Sequence, residues 1–257
     1  AYMEEKISEV TQQWSAEETG AIIMHPQTGA VYAMARTPSF DLNRFNEVDD
    51  SSIYRNPFVE NVFEMGSIIK PLVMAAALDT GDITAETSYY DAGSVVVADR
   101  TIYNFDKKGR GEVTMQEVLS QSLNTGMVEI SRLMSKDDMQ DYLLAFGLGE
   151  RAGIDLPNET KGLVSNLDTR RDVEYANISF GQGIAVTPIA TVRALAALGN
   201  GGYLVQPHLV ERIEYAQGFA NKLDYERGPQ VIDTETSHEI TRMMVNLVDD
   251  TLQGGEA

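Results

Sequence analysis

Near the start of the chain, two short apolar runs joined by a turn predict a β-hairpin. The runs cover residues 19–24 and 30–35, and the segment between them contains Pro26 and Gly29, which favour a turn between two strands. Most of the later patterns are helical, so any larger sheet has to be completed by segments that are distant in sequence. This order of elements restricts the chain to the α+β class.

Apolar residues at helical spacing predict most of the other elements. A helix at the start of the chain has one apolar face, formed by Tyr2, Met3, Ile7, Val10 and Trp14. A later helix has Thr187 as its N-cap and Pro188 at its first position, and it ends at Gly199. Further helices are expected over residues 68–78, 114–122, 125–134, 136–146 and 237–247. Strands and turns are expected over 88–111, and loops over 36–60 and 150–172.

Composition excludes several classes of function. The 257 residues suit one large domain, or a domain plus a fragment, and carry a formal net charge of −19. This charge repels nucleic acid and anionic membrane surfaces. The absence of cysteine excludes disulfides, thiolate zinc sites and a cysteine nucleophile. The three histidines, His25, His208 and His238, have no metal-ligand spacing, so neither a metal site nor a cofactor is predicted.

No apolar run reaches the roughly 18 residues that a membrane span needs. No signal peptide opens the chain. If the protein is exported or anchored, we expect the segment responsible to lie outside this chain.

A Ser-x-x-Lys pattern at Ser67 and Lys70 is the first candidate for chemistry. On the tetrapeptide alone, a helix N-cap serine followed by a surface lysine is the simpler interpretation. The position of the pattern favours a nucleophile, because Ser67 opens a predicted helix whose free N–H groups stabilise a developing anion. Lys70 is one turn further on, within reach of the Ser67 hydroxyl.

Lys70 can act as a base only if its amine is desolvated. A free lysine has a pKa of roughly 10.4 and is protonated at neutral pH, so the pKa has to fall by about three units. The neighbouring apolar residues Ile68, Ile69, Leu72 and Val73 are expected to bury this turn and supply that change.

A Ser-x-Asn pattern at Ser122 and Asn124 is the second candidate, 55 residues after Ser67. Serine and asparagine are common in turns, so a plain turn is the alternative interpretation. In the functional interpretation, Ser122 relays a proton and Asn124 binds a substrate amide. The separation is long enough for the chain to return and place the two patterns together.

Together with these patterns, long stretches of the chain resemble the class B penicillin-binding proteins. Ser-x-x-Lys, a Ser-x-Asn element and Lys-Thr-Gly form the motif set of that family and of class A β-lactamases. The resemblance covers about residues 5–250 and follows the family's order of landmarks. The blocks that carry it are 24–35, 38–41, 55–67, 104–106, 111–114, 122–126, 179–184, 187–188 and 201–208.

The resemblance implies a β-lactamase-like transpeptidase fold, in which helices flank an antiparallel sheet. It implies transfer of an acyl group from a peptidoglycan stem peptide ending in D-Ala-D-Ala, with β-lactams acylating the same serine. The roles it implies are nucleophile for Ser67, general base for Lys70, proton relay for Ser122 and substrate binding for Asn124. Gly181, Gln182 and Gly183 are further candidates for substrate binding, although the two glycines also serve a turn.

The family also implies a place and partners. We expect a catalytic domain on the extracytoplasmic side of the bacterial cell membrane, reached through a membrane segment outside this chain. A glycosyltransferase of the cell-wall machinery is the expected partner, and nucleic acid is not.

One family motif, Lys-Thr-Gly, is absent from the chain. The nearest strings are Lys107-Lys108-Gly109, which comes before the Ser-x-Asn element, and Thr160-Lys161-Gly162, which has the wrong order. We therefore expect one transpeptidase domain over residues 1–257, incomplete at its C-terminal sheet strands and without the family's anchor and pedestal. Its N-terminal helix and hairpin would occupy 1–36 and its catalytic region 37–257. Such a chain would be an impaired enzyme on its own.

Two rival functions remain open. A serine β-lactamase or β-lactam sensor shares Ser-x-x-Lys, and a class A enzyme needs a deacylating glutamate, for which Glu159 lies in a suitable stretch but with neighbours that do not match. A non-catalytic scaffold is favoured if the absence of Lys-Thr-Gly reflects a true loss.

Overall fold

The computed structural model describes residues 2–251. The predicted domain boundaries at 1 and 257 lie outside the described residues, and the assignment of one domain stays a prediction.

The predicted hairpin forms from β1 (Thr19–Met24) and β2 (Val31–Thr37), which pair antiparallel with Ile22 opposite Met34. Helix α1 (Tyr2–Trp14) covers one face of the hairpin. On the other face, Ile22 and Met34 pack against a small apolar cluster that includes Phe58 and Ile189. The hairpin is therefore flanked by helical segments on both sides, as the α+β prediction requires.

The predicted apolar face of α1 is only partly covered. Ile7 is buried, but Tyr2 is 74% and Trp14 is 73% exposed. A sheet of two strands, spaced about 5 Å apart, is too narrow to cover the whole apolar side of this helix.

The remaining strands form three further two-stranded antiparallel sheets in the described part of the chain. The strand β3 (Ser88–Asp91) pairs with β6 (Gly111–Thr114), and β4 (Ser94–Val97) pairs with β5 (Arg100–Tyr103). Near the end, β7 (Arg212–Glu214) pairs with β8 (Ala220–Lys222). The β4–β5 hairpin interrupts the β3–β6 pair, and this arrangement accounts for the strands and turns predicted over 88–111.

Helix α3 (Lys70–Asp79) is the centre of the helical body. Seven of its ten residues are buried, and it contacts five of the surrounding helices as well as the turn before it. A helix that is apolar all round belongs in a core, and the run from Leu72 to Ala77 has this character. The other helices are α2 (Pro57–Glu60), α4 (Met115–Ser120), α5 (Asn124–Leu133), α6 (Lys136–Ala145), α7 (Asp172–Ser179), α8 (Pro188–Leu198) and α9 (Thr234–Asn246).

Several helix ends differ from the sequence prediction for local reasons. Helix α3 begins at Lys70, because Gly66–Ile69 forms a 3₁₀ turn. Helix α4 ends at Ser120, and Ser122 has a left-handed backbone with a φ of 53°, so the predicted helix cannot continue to residue 122. The start of α8 agrees with the prediction, since the Thr187 hydroxyl accepts the Ala190 N–H at 3.2 Å.

Replacing Thr187 by alanine tests the cap of α8. Thr187 is 1% exposed, so the Ala190 N–H would lose its acceptor in a dry environment. We expect Thr187→Ala to lower the free energy of unfolding by about 1–2 kcal/mol, measured by urea denaturation. Thr187→Ser keeps the hydroxyl and is the matched control. An equal loss in both variants would contradict capping as the cause.

Candidate active site

Ser67 lies on the 3₁₀ turn that leads into α3, and its side chain is exposed. The preceding Gly66 has a φ of 58°, a conformation that glycine adopts without steric cost. The Gly66 N–H donates to the Gly181 carbonyl at 3.1 Å. The turn is thus fixed from behind, and the Ser67 hydroxyl faces solvent at the start of a helix.

Lys70 is the first residue of α3 and is 1% exposed. Its Nζ donates to the Ser122 carbonyl at 2.6 Å, to Ser122 Oγ at 2.9 Å and to Asn124 Oδ1 at 2.8 Å. These contacts use all three hydrogens of an ammonium group. Burial lowers the pKa of Lys70 from 10.5 to about 8, because desolvation disfavours the charged form.

Three of the four apolar residues that were expected to bury Lys70 are themselves buried. Ile69, Leu72 and Val73 are fully buried, whereas Ile68 is 49% exposed. Ile68 follows Ser67 on the 3₁₀ turn. Because about half of Ile68 is exposed, it is less buried than the sequence suggested.

Ser122 and Asn124 occupy the turn between α4 and α5. The positive φ of Ser122 is unusual for a residue with a side chain, and in this conformation both its carbonyl and its hydroxyl contact Lys70. The Ser122 hydroxyl also lies 3.2 Å from Ser67 Oγ. Asn124 donates from Nδ2 to the Tyr103 carbonyl at 2.9 Å, which leaves its Oδ1 facing Lys70.

The structure therefore brings Ser67, Lys70, Ser122 and Asn124 together, but in a different order from the one suggested by the i+3 spacing. Among the hydrogen bonds of the described residues, Lys70 is joined to Ser122 and Asn124, and Ser67 is joined to Ser122. The Lys70 side chain is directed into the protein, whereas Ser67 lies on the exposed side of the same turn. Ser122 is the link between them.

The Gly181–Gly183 segment lies directly behind the serine turn. A Cβ atom on Gly181 would be 1.9 Å from the Gly66 carbonyl oxygen, so only glycine fits this contact. The Gly183 N–H donates to Glu64 Oε1 at 2.7 Å. These two glycines contact the chain next to Ser67, and Gln182 between them is exposed.

Gln182 and Asn124 face a common open groove of about 640 Å³. Its wall is formed by the β4–β5 hairpin on one side and by α7 with the Phe180–Gln182 segment on the other. The charged groups in this wall have both signs, and they are Asp99, Arg100, Arg171 and Glu174.

Sequence reasoning missed two residues that hold the site. The Tyr103 carbonyl orients Asn124, and the Glu64 carboxylate holds the Gly183 backbone. The sequence assigned neither residue a role, because Tyr103 acts through its backbone, and Glu64, although it lies in the block 55–67, is 119 positions from its partner Gly183.

Two of the three histidines make aromatic contacts with residues outside this site. His208 stacks on Tyr225 with ring centroids 3.6 Å apart, and His25 contacts the edge of Tyr32. Within the described range, no three side chains of the metal-binding types come together as a candidate metal site. Nor does any helix in that range have the length and apolar character to cross a bilayer.

Comparison with known proteins indicates the same class of protein that the fold and the serine–lysine arrangement indicate. Residues 19–257 match the family model of the penicillin-binding protein transpeptidase domain. The chain belongs to this family, which confirms the resemblance and the α+β transpeptidase fold.

Individual relatives are similar over nearly the whole chain. Stage V sporulation protein D of Bacillus subtilis is 32% identical over 251 residues, covering 96% of this chain and 38% of the relative. A probable peptidoglycan D,D-transpeptidase PenA of Neisseria gonorrhoeae is 29% identical, covering 95% and 40%. The chain thus spans about two fifths of the length of these curated relatives.

A solved structure agrees with the fold in detail. Penicillin-binding protein 3 of Mycobacterium tuberculosis, in complex with aztreonam, superposes with a TM-score of 0.90 at 25% sequence identity. The match covers 98% of this chain and 56% of that one.

The acidity of Lys70 is directly measurable. We expect the Cε resonance of Lys70, observed in protein labelled with ¹³C-lysine, to titrate with a pKa of about 8, well below that of a solvated lysine. The cause is burial, and Lys70→Arg assigns the resonance by its disappearance. A titration of Lys70 together with the bulk of the lysines would show that the amine is hydrated in solution.

Proposed function

We propose that this chain carries the serine acyl-transfer site of a peptidoglycan D,D-transpeptidase. The observation that carries the proposal is the buried Lys70 amine, whose Ser122 partner also contacts the exposed Ser67 hydroxyl. Relatives support the substrate class, since several are named as peptidoglycan D,D-transpeptidases. The tuberculosis protein crystallised with aztreonam and with ampicillin supports a β-lactam-reactive serine.

In the first step, Ser67 Oγ attacks the carbonyl of the penultimate D-alanine of a stem peptide. The hydroxyl proton of Ser67 passes to Ser122, and Ser122 passes its own proton to the neutral amine of Lys70. The C–N bond then breaks, and the terminal D-alanine leaves after its nitrogen takes a proton back through Ser122. The product is an ester between Ser67 and the donor peptide.

In the second step, the amine of another stem peptide attacks this ester. It loses a proton through the same route and forms the cross-linking amide, and Ser67 recovers its proton. Asn124, which lines the groove beside the site, binds an amide of the donor peptide. Gly181, Gln182 and Gly183 support this wall, with Gln182 facing the peptide.

The pKa of Lys70 suits a base near neutrality. With a pKa of about 8, roughly one tenth of the amines are neutral at pH 7 and about half at pH 8. A solvated lysine would be neutral in fewer than about one molecule in a thousand at pH 7. Acylation is therefore expected to accelerate as the pH rises towards 8.

A β-lactamase is less well supported, because the Glu159 carboxylate is engaged by backbone groups of its own loop. It accepts the N–H groups of Ala152 and Gly153, and Glu159 is 8% exposed. It is thus engaged in holding a turn. Within the described residues, its hydrogen bonds do not lead to Ser67, Lys70 or Ser122.

A non-catalytic scaffold is also less well supported. Keeping a lysine 1% exposed costs stability, and a scaffold gains nothing from a lowered amine pKa.

For a peptidoglycan substrate, we propose that the site lies on the cell-wall side of the bacterial membrane. A glycosyltransferase that makes the glycan strands is the partner we propose, since cross-linking requires freshly made strands.

Labelling with a fluorescent penicillin tests the nucleophile. We expect a stable mass gain of one penicillin on the peptide that contains Ser67, and no label on Ser67→Ala. Ser120→Ala, which changes a serine outside the hydrogen-bonded site, is the control and should label normally. Label on Ser67→Ala would refute the assignment, and rapid release of hydrolysed penicillin would favour the β-lactamase.

The absence of Lys-Thr-Gly predicts slow acylation by the 257-residue chain. The resemblance implies that one oxyanion donor is the Ser67 N–H and that the other is an N–H of the strand carrying that tripeptide. Loss of one such donor typically costs about 10²–10³ in rate. We expect penicillin to acylate this chain about 10²–10³-fold more slowly than it acylates the B. subtilis relative, when the two rates are measured side by side. Equal rates would show that these 257 residues supply both donors.

A further inference from the structure

The carboxylate of Asp91 lies at the end of β3 and is 1% exposed. It accepts five hydrogen bonds, all from groups that carry no charge. They come from the N–H of Gly93, the N–H of Arg110, the hydroxyl of Thr125 and, twice, from the amide of Asn104, at 2.8–3.0 Å. A buried acid with this many donors is held in one orientation, since each oxygen is already fully used.

Two of these partners connect Asp91 to the start of α5, the helix that begins with Asn124. The N-cap residue Leu123 has no side-chain acceptor for the free N–H groups of the first turn. Asn104, which follows β5, supplies the missing cap of α5, because its Oδ1 accepts the Thr125 N–H at 3.2 Å. The helix is thus capped by a residue that Asp91 holds in place.

The segment that provides this cap also orients Asn124. Tyr103 immediately precedes Asn104, and its carbonyl accepts Asn124 Nδ2 at 2.9 Å. With Nδ2 engaged there, Asn124 Oδ1 lies 2.8 Å from Lys70 Nζ. A rotation of the amide would leave two oxygens facing each other at Tyr103 and an NH₂ group facing the Lys70 ammonium.

The Thr125 hydroxyl closes the network on the other side. It donates to Asp91 Oδ1 at 2.8 Å and lies 3.0 Å from the Tyr89 hydroxyl. Burial raises the pKa of Tyr89 to about 12, so the phenol stays protonated and donates to Thr125. The charged groups nearby are held elsewhere, since Arg110 pairs with Asp106 and Glu129 with Arg132.

We propose that Asp91 is a positioning residue for acyl transfer. It fixes Asn104 and Thr125, these fix the start of α5 and the Tyr103 carbonyl, and Asn124 is thereby held with its oxygen against Lys70. Asp91 does not touch the substrate. The inference rests on the proposed function for its kinetic consequence, but its structural consequence, the state of the Lys70 amine, is independent of any reaction.

The test uses Asp91→Asn and Thr125→Val. In Asp91→Asn, an NH₂ group would face donors that need an acceptor, and in Thr125→Val the hydroxyl is replaced by a methyl of the same size. Displacement of Asn124 removes one acceptor from the Lys70 ammonium, so the charged form is disfavoured. We expect the pKa of Lys70, measured by ¹³C-lysine titration, to fall by about one pH unit in Asp91→Asn and by less in Thr125→Val.

The kinetic readout is the pH profile of penicillin acylation. Its midpoint is expected to move down with the pKa of Lys70, and the maximal rate to fall about tenfold or more. Thr125→Ser retains the hydroxyl and is expected to recover most of both effects. Ser135→Ala is the control for stability, because Ser135 caps α6 away from the site and its loss lowers stability without moving Lys70.

Two results would overturn the inference. One is a stability loss in Asp91→Asn and Thr125→Val comparable to that of Ser135→Ala, with the Lys70 pKa and pH profile unchanged. The other is an equal pKa change in Thr125→Ser and Thr125→Val. Failure of the proposed function would give a different result. The wild-type protein would then not be labelled by penicillin, but the variants would still change the pKa of Lys70. If Asp91→Asn does not fold, Thr125→Val and Thr125→Ser decide.

Discussion

The arrangement of the residues around the candidate site depends on the burial of one amine, that of Lys70. Lys70 begins the most buried helix of the described chain and is itself 1% exposed. The fall in its pKa from 10.5 to about 8 means that the charged form is disfavoured by roughly 3 kcal/mol relative to water. A cation in this position is tolerated only where several acceptors converge on it, and the surrounding backbone is arranged to bring three of them together.

The need for acceptors explains two local features that would otherwise be costly. Ser122 adopts a left-handed backbone, and through it the carbonyl and the hydroxyl of one residue reach the same amine. The third acceptor, Asn124 Oδ1, depends on the Tyr103 carbonyl for its orientation. The close contact of Gly66 with Gly181 has a related effect, because it fixes the turn on which Ser67 lies relative to the helix that carries Lys70.

The parts of the site that follow local rules could be predicted from the sequence. A glycine before a helix start, and a lysine one turn after the serine among apolar residues, predicted that Ser67 and Lys70 would be neighbours. The hairpin and the Thr187 cap follow from equally local preferences. The buried acceptor Asp91 could not be predicted, because its partners Asn104 and Thr125 are 13 and 34 positions away. The exposure of Tyr2 and Trp14 also escaped prediction, since helical periodicity does not show how wide the opposing sheet is.

The position of Ser122 between Lys70 and Ser67 determines in which direction a proton can move. A charged Lys70 donates three hydrogens, whereas a neutral one donates only two and has one lone pair. Of its three partners, the Ser122 carbonyl and Asn124 Oδ1 can only accept, so the bond that reverses on deprotonation is the one to the Ser122 hydroxyl at 2.9 Å.

When that bond reverses, Ser122 Oγ becomes free to accept the proton of Ser67 across 3.2 Å. The two fixed acceptors thus leave one route for the proton, and that route leads to Ser67, the proposed nucleophile. If the Asn124 amide were rotated, Lys70 would lose one fixed acceptor. The hydrogen bond between Lys70 and Asn124 could then also reverse, with the Asn124 NH₂ group donating to the neutral amine. The orientation of the Asn124 amide, which exchanges no proton, is therefore as important to the direction of proton transfer as the Ser122 hydroxyl, which does exchange one.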